Sequence, residues 1–261
     1  AMTVAKAAKL RELNRIQLSL SHRAMVIGGG VAGMSAALAL ANMGYEVDLV
    51  EKRDRLGGIL NELNMILPSN EPPDKLVNSL AGRLHDNPKV TIHTGAVVTK
   101  TEGYVGNYVA TIRQNDNENK IKCGAVIVAI GAQPLKPEGL YNYDGEKVIT
   151  HIELESKLKQ GDVQAKNISI IQCVGSRSKE RTYCSRICCM TAVKNAILFK
   201  EASPDTRITI FYRDMQMYGV ENEQLFRKSK RLGVRYVTYD PDRPPRFDGE
   251  SVSVYHLRMG R

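Results

Sequence analysis

Between residues 4 and 20, Ala, Leu and Ile recur at helical intervals among Lys, Arg and Glu, which predicts an amphipathic helix ahead of the first strand. The period then changes. Ala24-Met25-Val26-Ile27 is an apolar run of strand length, Gly28 to Gly33 is a glycine-rich turn, and Ala32 to Asn42 is a small-residue helix that ends at Gly44. Glu46-Val47-Asp48-Leu49-Val50-Glu51 supplies the next strand, completing a βαβ unit. After the loop Ser69 to Asp74, a helix is expected over Lys75 to His85 and a strand over Lys89 to His93. Asn107 to Ile112 and Lys120 to Ile130 alternate or run apolar like a small antiparallel unit returning to the sheet.

Pro, Gly and Tyr between Pro134 and Gly145 mark a boundary, and βα alternation restarts beyond it. Strands are predicted over Ile168 to Cys173, Arg207 to Arg213 and Val234 to Tyr239, with helices from about Ser185 to Ala202 and from Glu221 to Leu232. A last strand is predicted over Val252 to Leu257. The fold class is therefore α/β with two Rossmann-like halves. The expected division is an N-terminal helical extension (1–22), a first Rossmann-like domain with a small antiparallel insertion (23–145), and a second Rossmann-like domain (146–261).

The chain has 261 residues with an apolar fraction of 43%, enough for packed cores. No run approaches the ~18 apolar residues needed to span a bilayer, and the first residues lack the apolar core of a secretory signal. A cytoplasmic location is expected. The formal charge is +9, and basic residues recur at Arg227-Lys228-Ser229-Lys230-Arg231 and Arg243-Pro244-Pro245-Arg246. Without zinc-finger spacing or an RNA-binding aromatic signature, and with no Trp, a nucleic-acid partner is not expected. A solvated basic face, or one that docks an acidic electron-transfer partner, accounts for the charge.

The glycine turn stands in the right context for a nucleotide. A strand precedes it, a helix opens within it, and Glu51 ends the second strand 23 residues after Gly28. Gly28 would make the tight turn, Gly30 would let the backbone approach a pyrophosphate, and Gly33 would allow close helix packing. Glu51 could accept hydrogen bonds from ribose hydroxyls. Glu51-Lys52-Arg53-Asp54-Arg55-Leu56-Gly57-Gly58 resembles the acid-then-Gly-Gly signature of two-dinucleotide-fold flavoproteins, and Val128-Ala129-Ile130-Gly131-Ala132 resembles their Ala-Thr-Gly-type strand end. That resemblance favours FAD over NAD. The expected cofactor contacts are Gly28, Gly30, Val31, Ala32, Gly33, Glu51, Lys52, Gly57, Gly58, Val98, Ala129 and Gly131.

Four of the five cysteines, Cys173, Cys184, Cys188 and Cys189, crowd into 17 residues, which asks for a metal or a redox reaction. Cys123, at a strand start, reads as a buried apolar cysteine. In the second half, the turn that would carry nicotinamide-binding glycines is Cys173-Val174-Gly175-Ser176-Arg177-Ser178, so a pyrophosphate site there is not expected. Cys184 and Cys188 are four apart and would share a face of a helical turn, with Cys189 about 100° further round. The spacing Cys-x10-Cys-x3-Cys-Cys is neither a zinc ribbon nor a ferredoxin run. Tetrahedral zinc, an iron–sulfur cluster and a dithiol/disulfide pair all remain open on spacing alone. Ser176, Arg177, Ser185 and Arg186 could donate hydrogen bonds near the sulfurs. The five histidines are scattered, and no side chain stands out as a general base, so no catalytic residue is assigned.

Gln172-Cys173-Val174-Gly175-Ser176-Arg177 and Tyr183-Cys184-Ser185-Arg186-Ile187-Cys188-Cys189-Met190-Thr191-Ala192-Val193-Lys194 resemble the flavin-containing A subunit of heterodisulfide reductase. The likeness extends to Val26 to Gly33, Glu102 to Asn107 and Val148-Ile149-Thr150. It implies an oxidoreductase with a thioredoxin-reductase-like fold, binding FAD and a [4Fe–4S] cluster and serving electron transfer or flavin-based electron bifurcation in a larger complex. Carried over, Cys173, Cys184, Cys188 and Cys189 become the cluster ligands. The implied partners are other subunits of a heterodisulfide-reductase-like complex, another electron carrier or a second copy of the chain. Fuller members carry ferredoxin-type cysteine runs and a further cysteine stretch after the Gly-Gly turn, whereas Leu67 to Asp74 holds no cysteine. The chain also stops without the final segment that returns to the flavin domain in such folds, so a fragment or a shortened member is expected. A pyridine-nucleotide-dependent FAD disulfide reductase and a zinc-stabilised docking scaffold are the rival readings.

Overall fold

The computed structural model describes residues 2–8, 10, 19–161 and 164–255. The chain forms two compact units, one of residues 1–58 and 80–131, the other of 59–79 and 132–261. It therefore passes between them three times, at 58/59, 79/80 and 131/132.

The first unit is built on a parallel sheet of β1 (Arg23–Ile27), β2 (Glu46–Val50), β3 (Val90–His93) and β7 (Ala125–Val128), in the order β3-β2-β1-β7. Such strands are buried on both sides and run apolar instead of alternating: Ala24, Met25 and Val26 are all buried. Helix α2 (Val31–Asn42) turns Gly33, Met34, Ala37, Leu38 and Ala41 inward. An antiparallel meander, β4 (Ala96–Tyr104), β5 (Asn107–Gln114) and β6 (Asn117–Cys123), packs Ala96, Ala110, Ile112, Ile121 and Cys123 against Met25 and Val50. Burial pushes the Cys123 thiol up, with the Asp48 carboxylate nearby adding to the shift, which suits an inert apolar role. Asp48 is buried in the middle of β2 because it is paired on both sides, with Arg23 at 3.2 Å and His93 at 2.8 Å.

The second unit holds a parallel sheet of β8 (Asn167–Ile171), β9 (Arg207–Tyr212) and β10 (Arg235–Thr238), in the order β10-β9-β8. Helices α4 (His151–Gln160), α5 (Cys188–Ala202) and α6 (Val220–Arg231) belong to it, and a two-strand hairpin, β11 (Arg246–Phe247) with β12 (Val252–Ser253), follows. Leu154, Ile170, Ala192, Ala196, Phe199, Ile208, Ile210 and Val234 form its core. Helix α4 starts in a capping box, where the Thr150 hydroxyl accepts from the Glu153 N–H while the Glu153 carboxylate accepts from the Thr150 N–H. It ends at Gly161 in the left-handed conformation. Two further elements are α3 (Pro73–His85), within which the 79/80 passage falls, and α1 (Met2–Ala7). Of the helix expected over Val4 to Leu20, residues 9 and 11–18 lie outside those described, as do residues 256 and 257 of the expected last strand. No helix among the described residues is long and apolar enough to cross a membrane.

Lys194 and Glu155 form an ion pair at 2.5 Å between α5 and α4, with side chains 6% and 0% exposed. The Lys194 ammonium also donates to the Met65 carbonyl at 2.8 Å, and the Asn64 N–H donates to Glu155 at 3.0 Å. Burial, with the Lys194 ammonium adding to it, pushes the His151 imidazole down to about 4. Lys194→Ala would strand a buried carboxylate, so a loss of about 3–5 kcal/mol is expected in urea unfolding. His151 stays neutral in the folded chain and protonates more readily when unfolded, so stability should fall as pH drops from 6.5 to about 4. His151→Gln should flatten that part of a denaturation-midpoint-against-pH profile.

Candidate functional site

The chain leaves β1 through Gly28 at φ 110° and reverses into α2. The reversal is tight enough that a Cβ on Gly33 would lie 1.8 Å from the Gly28 carbonyl oxygen, so only glycine fits there. Gly30 differs: a Cβ there would meet nothing within 4 Å. It stands just before α2, whose first turn has no side-chain cap, leaving backbone N–H groups for an anionic ligand. The expected cofactor residues converge on this turn. The buried Glu51 carboxylate accepts from the Gly29 N–H at 2.5 Å and from the Arg53 N–H at 2.8 Å, one bond to each oxygen, which leaves acceptor capacity on both. The Gly57 N–H donates to the Gly29 carbonyl at 2.8 Å, and Gly58 lies against the Gly30 Cα. The Ala129 N–H donates to Ile27 at 2.8 Å, so the chain after β7 runs beside the turn towards Gly131. Val31, Ala32 and Lys52 are exposed. Val98 stands apart in the meander, packed on its core.

The cysteines gather by a different device. Cys173 follows β8 in a left-handed conformation, φ 62°, and Arg177 and Arg186 are also left-handed, at 54° and 61°. Each is costly for a residue with a Cβ. The Arg186 conformation ends any helix upstream, so α5 begins at Cys188 and not near Ser185. Cys184 therefore lies before the helix and does not share a helical face with Cys188; its sulfur accepts from the Arg186 N–H at 3.3 Å.

Cys188 occupies the first position of α5, where backbone N–H groups and the helix dipole favour negative charge. A hydrogen bond from the Cys189 thiol, the Ser185 hydroxyl and the N–H groups of Cys188 and Cys189 bring Cys188 down to about 6, against the opposing effect of burial. The same bond, with burial, pushes Cys189 up, so of the two Cys188 gives up its proton the more readily. Burial also raises Cys173, against a hydrogen bond from Arg177. Cys173 is close enough to Cys188 and Cys189 for their charges to interact. Among the described residues, no three His, Cys, Asp or Glu side chains converge closely enough to hold a metal ion. The donor set is of the right kind for a cluster, three interacting thiols with Cys184 on the adjoining loop, but the four sulfurs are not drawn to one point.

Residues without any sequence motif complete the neighbourhood. Asp214 pairs with Arg177 at 2.7 Å, and its carbonyl lies 3.8 Å from the Cys189 sulfur. Tyr218 donates to the Arg186 carbonyl at 2.7 Å, with the guanidinium 5.4 Å from its ring centre. Both stand after β9, more than twenty residues from the cysteines, where no spacing pattern could announce them.

The two glycines of the first turn make opposite demands. Gly33→Ala is expected to lose about 1–3 kcal/mol through overpacking, whereas Gly30→Ala should stay within about 0.5 kcal/mol of the parent. Chemical denaturation of the two variants checks the contrast.

Residues 22–175 match the family model described as pyridine nucleotide-disulphide oxidoreductase. The chain is 31% identical to an iron-sulfur A subunit of CoB–CoM heterodisulfide reductase from Methanopyrus kandleri, over 92% of this chain and 51% of that protein. It is 28% identical to the A subunit of H(2):CoB-CoM heterodisulfide,ferredoxin reductase from Methanothermobacter marburgensis, with 92% and 51% covered. The chain thus spans about half the length of these curated relatives. The first alignment runs over 337 positions against a chain of 261 residues, so that relative carries segments inside the matched region that this chain lacks. In fold it is similar to thioredoxin reductase of Lactococcus lactis (TM-score 0.60, 18% identity, 92% of this chain and 73% of that one). The same holds for thioredoxin reductase of T. acidophilum (TM-score 0.57, 17% identity, 92% and 73%). With the glycine turn, the parallel sheets and the match over more than half its length, the chain belongs to the pyridine nucleotide-disulphide oxidoreductase family, and its curated relatives over most of its length are the A subunits of heterodisulfide reductases.

Proposed function

We propose that the chain is an electron-transfer flavoprotein module that holds FAD at the Gly28–Gly33 turn and a [4Fe–4S] cluster on Cys173, Cys184, Cys188 and Cys189, within a heterodisulfide-reductase-like complex. The observation that carries this reading is the placement of Cys188 at the first position of α5, beside Cys189 and close enough to Cys173 for the two to interact. The word "iron-sulfur" in the name of the Methanopyrus relative supports it.

Bound there, FAD would exchange electrons in pairs and a cluster would pass them singly. The first turn of α2 offers N–H groups to the pyrophosphate, and the open face of Gly30 lets it approach. Glu51 accepts from ribose hydroxyls with the lone pairs that Gly29 and Arg53 leave free. Val31, Val128 and Ile130, exposed by 39%, 65% and 71%, supply apolar surface for a ligand to cover. Around the sulfurs, Ser185, Arg177 and the Arg186 N–H donate hydrogen bonds, which stabilise added negative charge and would raise a cluster's potential.

The depressed Cys188 thiol beside Cys189 also favours a second reading, a disulfide that reduced flavin returns to the dithiol with two electrons. Anaerobic reconstitution with iron, sulfide and FAD separates the two. One flavin and about four iron per chain are expected. Cys184→Ala and Cys188→Ala should lose the iron and keep the flavin, while Gly30→Ala should keep the iron and lose the flavin. Flavin bleached by stoichiometric NADPH in a chain that takes up no iron would put the disulfide reductase first.

A further inference from the structure

In the second unit a crevice of about 510 Å³ opens where the three parallel strands end. Cys173 lines it just after β8, Arg213 immediately after β9 and Tyr239 immediately after β10. Its size suits a small organic molecule, and the carboxyl ends of open parallel sheets are where such folds take ligands. Dinucleotide chemistry is nevertheless missing. The turn after β8 carries a single glycine, Gly175, at φ 68° with the Leu135 side chain against it, so no glycine-rich turn is present for a pyrophosphate to approach.

Charge in the crevice is one-sided. Arg213 and Arg246 line it, and no Asp or Glu does. One Arg213 nitrogen donates to the Arg177 carbonyl at 2.8 Å, the guanidinium also hydrogen-bonds the Tyr239 hydroxyl, and its buried Nε makes no hydrogen bond. An oxyanion in the crevice would balance both guanidinium groups. Flat walls come from the rings of Tyr141, Tyr239 and Phe247. The Arg213 guanidinium lies 5.8 Å from the Tyr239 ring centre, which orients it.

We propose that this crevice binds a single-headed organic oxyanion, a phosphate, carboxylate or sulfonate on a planar unsaturated body. The head sits on Arg213 and Arg246, and the body lies against Tyr141 and Phe247. The site shares Cys173 with the proposed cluster but does not rest on that reading, since neither arginine is a ligand in it.

Isothermal titration of the full chain with phenyl phosphate, inorganic phosphate and NADPH tests it. Phenyl phosphate should bind at one site, about tenfold tighter than inorganic phosphate and tighter than NADPH. Arg213→Gln should weaken it about tenfold, the size of one charge-assisted hydrogen bond. Arg246→Gln should weaken it in the same direction and, being at an exposed position, keeps the fold intact should Arg213→Gln not. The proposal is overturned by phenyl phosphate binding no tighter than inorganic phosphate, by indifference to Arg246→Gln, or by no binding at millimolar concentration. NADPH binding tighter with the same arginine dependence would also overturn it, as a retained dinucleotide site. Repeating the titration on iron-free and reconstituted protein keeps this outcome separate from that of the cluster.

Discussion

The contact between Gly28 and Gly33 governs the first unit. With a single hydrogen in place of a side chain at Gly33, the helix can start against the carbonyl that ends the strand, and everything around the turn is placed by that proximity. The Glu51 carboxylate reaches the Gly29 N–H, and the loop at Gly57 returns to the Gly29 carbonyl. Buried Asp48, tied to Arg23 and His93, fastens β2 to its two neighbours just below. One steric constraint thus aligns an unpaired helix terminus, an acid with spare lone pairs and an open patch of backbone.

The second unit meets the same topological demand, a chain leaving a parallel strand for a helix, by other means. Its turn is longer, and it holds three side-chain-bearing residues in left-handed conformations. Strain of this kind persists only where surrounding contacts over-determine it. Arg177 is fixed through Asp214 and through Arg213 on its carbonyl, and Arg186 through Tyr218. Those partners keep Cys173 and Cys184 near the start of α5, where hydrogen bonds lower the Cys188 thiol.

Much of this is legible in the residues. Apolar runs flanked by glycine announce β1 and β2, and the periodic stretches announce α2, α3, α5 and α6 to within a few residues. The glycine turn is readable because its residues lie close in sequence. Helix α4 escapes such a reading although Thr150-x-x-Glu153 and Gly161 spell its two ends, because its charged positions mask the helical period. Strand β4 escapes it for a similar reason: seven of its nine residues are exposed, so alternation is lost. Spacing puts Cys184 on a helix that Arg186 prevents, and a left-handed arginine leaves no trace in a propensity argument. Arg213 and Tyr239 are invisible as site residues, since each follows a different strand and only sheet pairing brings them together.

Strand order also bears on how the chain is made. Strand β1 ends at Ile27, yet its neighbour on one side is β7, which begins at Ala125. During synthesis β1, β2 and β3 can pair early, leaving one flank of β1 with open N–H and C=O groups until residue 128 emerges. An apolar strand with an unsatisfied edge is a template for other chains. Closing so long a loop is also slow. The nascent first unit is therefore exposed to intermolecular pairing for most of its own translation.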